Sequence, residues 1–235
     1  MRLLLLSNST NAGEAYLKYP LNEMKKFLGD KPLNALFIPF AAVTFTFDDY
    51  EQKVKERFKE IGHNIISIHK VISMSDAVKN AEAIIIGGGN TFHLLKLLQQ
   101  NNLLELIRER VGEGIPYIGW SAGSNVACPS ISTTNDMPIV EPQSFKALEL
   151  IPFQINPHYS DIVPDNHAGE TRDQRISEYL AANPDKTVVG LWEGTMLHFT
   201  NKKLKLIGEK PARIFTHNHQ PFSVNNNDDL NFLLN

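Results

Sequence analysis

The sequence predicts a single α/β domain over residues 1–235, built on a doubly wound, mostly parallel sheet with a C-terminal antiparallel extension. Three observations predict it. Short continuous apolar runs recur through the first half of the chain, at residues 3–7, 35–38, 83–86 and 115–120, as expected for strands buried on both faces. Segments with apolar residues three and four apart lie between them, so strand and helix alternate. From Thr187 onward the pattern changes to short strands separated by turns. With 235 residues and 42% hydrophobic content, the chain can bury one sizeable core. It carries no internal repeat, low-complexity tract or linker.

The first strand ends in the polar loop Ser7-Asn8-Ser9-Thr10-Asn11, and residues 21–28 have helical spacing and stop at Gly29-Asp30, so the opening is β-α-β. Residues 46–61 place Tyr50, Val54, Phe58 and Ile61 on one face of an amphipathic helix that Gly62 terminates. A strand is predicted over 64–69 and a short helix over 75–80. Residues 83–86 then run directly into Gly87-Gly88-Gly89-Asn90-Thr91, and a long helical region follows, broken near Asn101-Asn102. The strand over 115–120 leads into Ser121-Ala122-Gly123. Residues 133–138 and 141–142 read as loops, 153–156 as a strand leading into Pro157-His158-Tyr159, and 170–175 as the opening of a helix that Asn183-Pro184 stops. Strands over 187–192, 195–199, 203–207 and 213–216 complete the chain.

Composition narrows the function classes. The formal net charge is −3, from 23 basic and 26 acidic residues, and the longest basic clusters are pairs such as Lys25-Lys26. No nucleic-acid surface is expected. The apolar run after Arg2 is too short for a signal sequence and reads as the first strand, and no run approaches the length of a membrane span. The single cysteine, Cys128, excludes an intramolecular disulfide and a multi-cysteine metal site. It fits a reducing compartment, so a soluble cytoplasmic protein is expected.

The chemistry centres on Gly119-Trp120-Ser121-Ala122-Gly123, a Gly-x-Ser-x-Gly pattern between a predicted strand and a predicted helix. Such a bend exposes a serine hydroxyl, while the flanking glycines let the backbone pass without Cβ clashes. A helix start there would also aim N–H groups at developing negative charge. The Gly87-Gly88-Gly89 turn lacks the Lys-Ser/Thr of a P-loop and the spacing of a dinucleotide fingerprint. Gly89 and Ala122 are instead candidates for an oxyanion hole beside Ser121, although a permissive turn is the commoner use of such glycines.

Among eight histidines, His158 is the candidate base, because it follows a strand end and topology is expected to bring it to the sheet edge that holds Ser121. His63, His69, His93 and His167 read as surface or satisfied side chains, and His198 alternates within a strand. His217-x-His219 lacks an obvious third metal ligand. Two carboxylates compete to orient the imidazole: Glu193, at the end of the strand over 187–192, and Asp136, in a polar loop soon after the elbow. Arg172 and Asn90 are the substrate-binding candidates. Arg172 lies in the first turn of a predicted helix, where guanidinium and helix dipole can act on one anion.

Several long, separated motifs closely resemble the peptidase E (α-aspartyl dipeptidase) family. They are residues 3–10, the loop 87–92, Tyr117-Ile118-Gly119-Trp120-Ser121-Ala122-Gly123, Thr134-Asn135-Asp136-Met137-Pro138-Ile139-Val140, Ile155-Asn156-Pro157-His158 and Gly169-Glu170-Thr171-Arg172. The resemblance runs from the first strand to about Gly194. It implies a flavodoxin-like fold related to class I glutamine amidotransferases and a serine peptidase that cleaves dipeptides beginning with aspartate. It also implies Ser121 as nucleophile and His158 as base, with Asp136 and Glu193 both matching the third role. Glu193 is favoured for its strand-end position.

Three other readings compete. An α/β-hydrolase esterase orders its triad serine, acid, histidine, which would require His198, His217 or His219. A cyanophycinase-like peptidase would act on β-aspartyl linkages, and an inactive binding protein could retain the elbow. An amidotransferase is disfavoured because its nucleophile is cysteine. The expected partner is a small peptide, with no cofactor, metal, nucleic acid or membrane, and self-association into a homo-oligomer is left open.

Overall fold

The computed structural model describes residues 1–162 and 168–234. Its first half alternates strand and helix in the predicted order: β1 (Arg2–Leu6), α1 (Leu21–Leu28), β2 (Asn34–Ile38), α2 (Phe47–Glu60), β3 (Asn64–Ser67), α3 (Met74–Lys79), β4 (Ala83–Ile86), α4 (Thr91–Gln100), α5 (Leu104–Gly112), β5 (Pro116–Trp120) and the short α6 (Ala122–Asn125). After a long loop come β6 (Gln154–Tyr159), α7 (Arg172–Ala182), β7 (Thr187–Trp192), β8 (Met196–Thr200), β9 (Lys203–Ile207), β10 (Ala212–Thr216) and β11 (Phe222–Val224).

The central sheet has the order β3-β2-β4-β5-β1-β8-β9. The first five strands are parallel, and β8 and β9 extend the sheet in antiparallel fashion. Successive strand residues point to opposite faces, and both faces of β1 are apolar. Leu3 and Leu5 join the cluster that α3, α4 and α5 cover, whereas Leu4 and Leu6 join the one that α1 and α2 cover. That two-sided burial is why the strands read as unbroken apolar runs.

Local signals set the helix boundaries. Thr46 caps α2 by accepting from the Asp49 N–H, and Thr171 and Gln174 form a reciprocal capping box at α7. The break at Asn101-Asn102 separates α4 from α5, with Asn102 at φ 53°. Three expectations shift. The strand over 64–69 ends at Ser67, because residues 68–70 turn into a 3-10 helix that buries Ile68. The strand over 153–156 runs on through His158 to Tyr159, and β11 adds a strand that the sequence did not signal.

The C-terminal antiparallel extension is present and divides between two sheets. Only β8 and β9 join the central sheet; β10 and β11 belong to a second sheet of order β11-β10-β7-β6, in which β6 and β7 are parallel. Ile155, Val189, Leu191 and Ile214 from this sheet pack into the same apolar cluster as α4 and α5. Tyr159, Val188 and Phe215, on its other face, pack under Ile176 and Leu180 of α7. His158 therefore does not reach Ser121 along the edge of the central sheet; it approaches from a second sheet. Among the described residues, no helix is long and apolar enough to cross a membrane.

Candidate active site

Ser121 follows β5 directly and holds φ 52° and ψ −113°. A serine avoids this backbone region unless its surroundings impose it. Leu6 O accepts from the Ser121 N–H at 3.1 Å and from Ser124 Oγ at 2.7 Å. A Cβ at Gly119 would lie 2.4 Å from Gly123 O, and one at Gly123 would lie 2.1 Å from Ile86 O. The two glycines of the motif are therefore required by close backbone packing on either side of the serine. α6 has only four residues, so it supplies individual N–H groups and little of the macrodipole expected from the sequence.

His158 lies at a register shift of β6 against β7, with φ 53°. The bulge turns its imidazole toward the elbow. His158 Nε2 is 2.8 Å from Ser121 Oγ, and Nδ1 is 2.7 Å from Glu193 Oε1. Both contacts are satisfied when Nδ1 carries the proton and donates it to the carboxylate, leaving Nε2 to accept from the serine hydroxyl. The His158 and Glu193 side chains are 41% and 48% exposed, so the chain of groups is open to an incoming substrate.

The Gly87-Gly88-Gly89 loop runs against the elbow. A Cβ at Gly88 would come within 3.0 Å of Ser121 Cβ. Trp120 Nε1 donates to Tyr50 Oη at 3.0 Å, and Tyr50 Oη donates to Gly88 O at 2.9 Å. The Asn90 N–H donates to Ala41 O at 2.8 Å and fixes the other end of the loop. Among the described residues, the Gly89 and Ala122 N–H groups have no protein acceptor, the condition a pair of oxyanion donors must meet.

Asp136 occupies a different place. Its Oδ2 accepts from the Thr91 N–H at 2.7 Å, Thr91 Oγ1 at 2.5 Å and Thr134 Oγ1 at 3.1 Å, anchoring the loop to the start of α4. No hydrogen bond joins it to His158. Asn90 is likewise engaged by the fold: Oδ1 caps α4 by accepting from the His93 N–H at 3.0 Å, and Nδ2 donates to Met137 O at 2.8 Å. These contacts hold the side chain in place and use one of its two N–H donors, which leaves the second for a substrate.

Arg172 is the first residue of α7, and it donates to Asn135 Oδ1. Asn135 Nδ2 donates to Pro157 O at 2.7 Å, tying the guanidinium to the strand residue before His158. Among the described residues, no carboxylate forms an ion pair with Arg172. Asp173 is taken by Tyr159 and Arg213, and Glu170 lies 3.7 Å from Arg175. Burial, and then the neighbouring Arg175, push the Arg172 pKa down, as expected for a cation short of a counter-ion.

The remaining histidines stand elsewhere. His69 contacts Asp48 at 3.2 Å, His93 Nδ1 contacts Phe40 O at 2.7 Å and His198 packs edge-on against Phe27. His167 lies outside the described residues. Cys128 is buried; its Sγ accepts from the Ile155 N–H at 3.1 Å, and burial pushes its pKa up to about 12. A thiol held neutral is a poor nucleophile. Cys128→Ala should therefore keep kcat within about twofold of the parent while lowering thermal stability through the small void it leaves. Steady-state kinetics and a thermal melt check both parts.

The chain order Ser121, His158, Glu193 differs from the serine, acid, histidine order of the α/β-hydrolases. Residues 3–207 match the model of peptidase family S51. The chain belongs to peptidase family S51. A relative named peptidase E, from Nostoc sp. strain PCC 7120, is 54% identical over 233 residues, covering 99% of this chain and 96% of the relative. Peptidase E from Salmonella arizonae is 48% identical over 215 residues, covering 92% and 93%. The solved structure of a peptidase from an acI-B1 Actinobacterium has a TM-score of 0.66 at 19% identity, with 95% of this chain and 96% of that chain covered. At that identity the likeness bears on the fold, which is shared by this S51 chain.

Four residues at the site were not singled out from the sequence. Ser7 and Asn8 read as loop residues, Tyr50 as a core position of α2 and Asn135 as part of a family motif. Their hydrogen-bonding roles depend on partners 38 to 186 positions away or 22 positions away in the case of Asn135, and no local pattern marks such a partner.

Proposed function

We propose that this S51 peptidase is a serine dipeptidase that hydrolyses Asp-Xaa dipeptides through an acyl-enzyme, with Ser121 as nucleophile, His158 as general base and acid, and Glu193 as the imidazole's partner. The observation that carries this reading is the continuous contact Glu193 Oε1–His158 Nδ1, His158 Nε2–Ser121 Oγ, at 2.7 and 2.8 Å, on a serine with positive φ. In the first step Ser121 Oγ attacks the scissile carbonyl as Nε2 takes its proton. The Gly89 and Ala122 N–H groups receive the oxyanion. The imidazolium, stabilised by the Glu193 carboxylate, then protonates the leaving amine. Water enters with His158 again as base, attacks the aspartyl ester and releases aspartate.

Arg172 supplies the selectivity in this reading. A partly desolvated guanidinium held by a neutral amide suits a carboxylate, which it can grip in bidentate fashion. The expected site of action is one domain spanning residues 1–235, and the single buried cysteine supports a reducing, cytoplasmic setting. The partner in this reading is a small peptide, with self-association left open and no role given to nucleic acid or membrane.

The test is a panel of Asp-Leu, Asn-Leu, Leu-Leu and a β-aspartyl dipeptide, with Ser121→Ala as control. Asp-Leu should be preferred strongly over all three. Preference for the β-aspartyl peptide would move the chain to the cyanophycinase-like reading. Arg172→Ala should lower kcat/KM for Asp-Leu roughly 30-fold or more, the low end for losing one partner of a desolvated charge pair, and should affect residual Asn-Leu cleavage much less. Equal losses on both substrates would make Arg172 a structural residue.

A further inference from the structure

Five hydrogen bonds connect the end of β1 to the backbones around Ser121, His158 and Glu193. Leu6 O accepts from the Ser121 N–H at 3.1 Å. Ser7 Oγ accepts from the His158 N–H at 2.9 Å and donates to Leu191 O at 2.6 Å, two residues before Glu193. The Ser7 N–H donates to Thr195 O at 3.0 Å, and Asn8 Oδ1 accepts from the Gly194 N–H at 2.9 Å, so the turn that carries Glu193 is held on both sides. Ser7 is fully buried and Asn8 is 1% exposed. Tyr19 Oη in turn donates to Asn8 O at 2.8 Å.

We infer that Ser7 is a positioning residue for the triad, fixing the angle at which the His158 imidazole meets both Ser121 and Glu193, with Asn8 assisting from the Glu193 side. The inference rests on the triad reading above.

The physical need is specific. His158 and Glu193 come from the second sheet and Ser121 from the central one, so no shared strand ladder sets their separation. The His158 N–H lies at a register shift, where it has no ladder partner, and the residue holds a positive φ. An N–H left unpaired in such a place favours relaxation of the bulge. The Ser7 hydroxyl satisfies that N–H and, through its own proton, the Leu191 carbonyl of the adjacent strand. One side chain thereby locks β6, β7 and β1 together beside the imidazole. A positional error of about 1 Å between reacting groups is enough to cost roughly 10²-fold in rate.

The experiment measures kcat, KM and the melting temperature for Ser7→Ala and Ser7→Thr, each also in a His158→Ala background, with Ser121→Ala as reference. Ser7→Ala should lower kcat about 10- to 100-fold with KM within about twofold. Ser7→Thr, which keeps the hydroxyl, should recover most of that loss. In the His158→Ala background the Ser7→Ala change should alter the residual rate by less than about twofold, because its effect acts through the imidazole. A folded Ser7→Ala with parental kcat, or an equal loss in both backgrounds, would overturn the inference.

If Ser7→Ala does not fold, Asn8→Ala decides. A kcat loss that disappears in a Glu193→Gln background supports the inference, and an equal loss in both overturns it. Failure of both variants to fold would assign the segment to stability alone and also overturn it. Retained activity in Ser121→Ala would instead overturn the triad reading, so the two failures are distinguishable.

Discussion

Ser121→Ala and His158→Ala should each lower kcat for Asp-Leu by roughly 10³-fold or more, with the double variant little worse than either single one. The reason lies in the geometry. The hydroxyl is 2.8 Å from Nε2, so nucleophile and base act as one unit, and removing either leaves only the oxyanion donors and substrate binding. Neither side chain supports the fold heavily. Ser121 Oγ has the imidazole as its hydrogen-bond partner, and the His158 side chain is 41% exposed. Both variants should therefore melt within a few degrees of the parent, so a lost rate would not reflect a lost fold. Additive losses in the double variant would show that the two groups work independently.

Glu193→Gln should cost roughly 10²- to 10⁴-fold in kcat, far more than Asp136→Asn. A carboxylate at 2.7 Å accepts from Nδ1–H and leaves Nε2 free to accept the serine proton. A glutamine amide can donate to Nδ1 instead, which places the proton on Nε2 and disables the base. Glu193 is about half exposed and can reorient, which sets the lower end of the range. Asp136 accepts three hydrogen bonds at the start of α4, and an asparagine oxygen can keep the one from the Thr91 N–H. Asp136→Asn should chiefly lower thermal stability. Kinetics and melts on both variants check the ranking, and the reverse order in folded proteins would transfer the imidazole's partner to Asp136.

The parts of this molecule legible in its sequence are those governed by local rules. The inner strands β1 and β4 were recognisable because burial on both faces leaves Leu3 to Leu6 and Ala83 to Ile86 wholly apolar. The elbow was recognisable because Gly119 and Gly123 are dictated by backbone contacts within a few residues of Ser121 and with the adjacent β4. The second sheet was not. β6 and β7 read as buried strands, and nothing in their local pattern says which sheet they join; long-range pairing in the order β11-β10-β7-β6 decides it.

The same distinction separates the carboxylates. Both Asp136 and Glu193 stand in polar turns near strand or helix ends, and each fits a triad by position alone. What divides them is the Thr91 N–H, 45 positions from Asp136, which engages that carboxylate, while the bulge at His158 aims Nδ1 at Glu193. Asn90, a substrate-binding candidate in the sequence, also has a part in the fold. Its amide oxygen caps α4, a use that its place just before the helix suits.

Fluorophosphonate treatment of the whole protein, followed by intact mass and peptide mapping, most directly tests whether Ser121 carries Asp-Xaa hydrolysis. The expected result is one adduct per chain, on Ser121, with Asp-Leu hydrolysis falling in proportion to labelling and no adduct on Ser121→Ala. An adduct on another residue, or undiminished Asp-Leu hydrolysis by fully labelled protein, would contradict it.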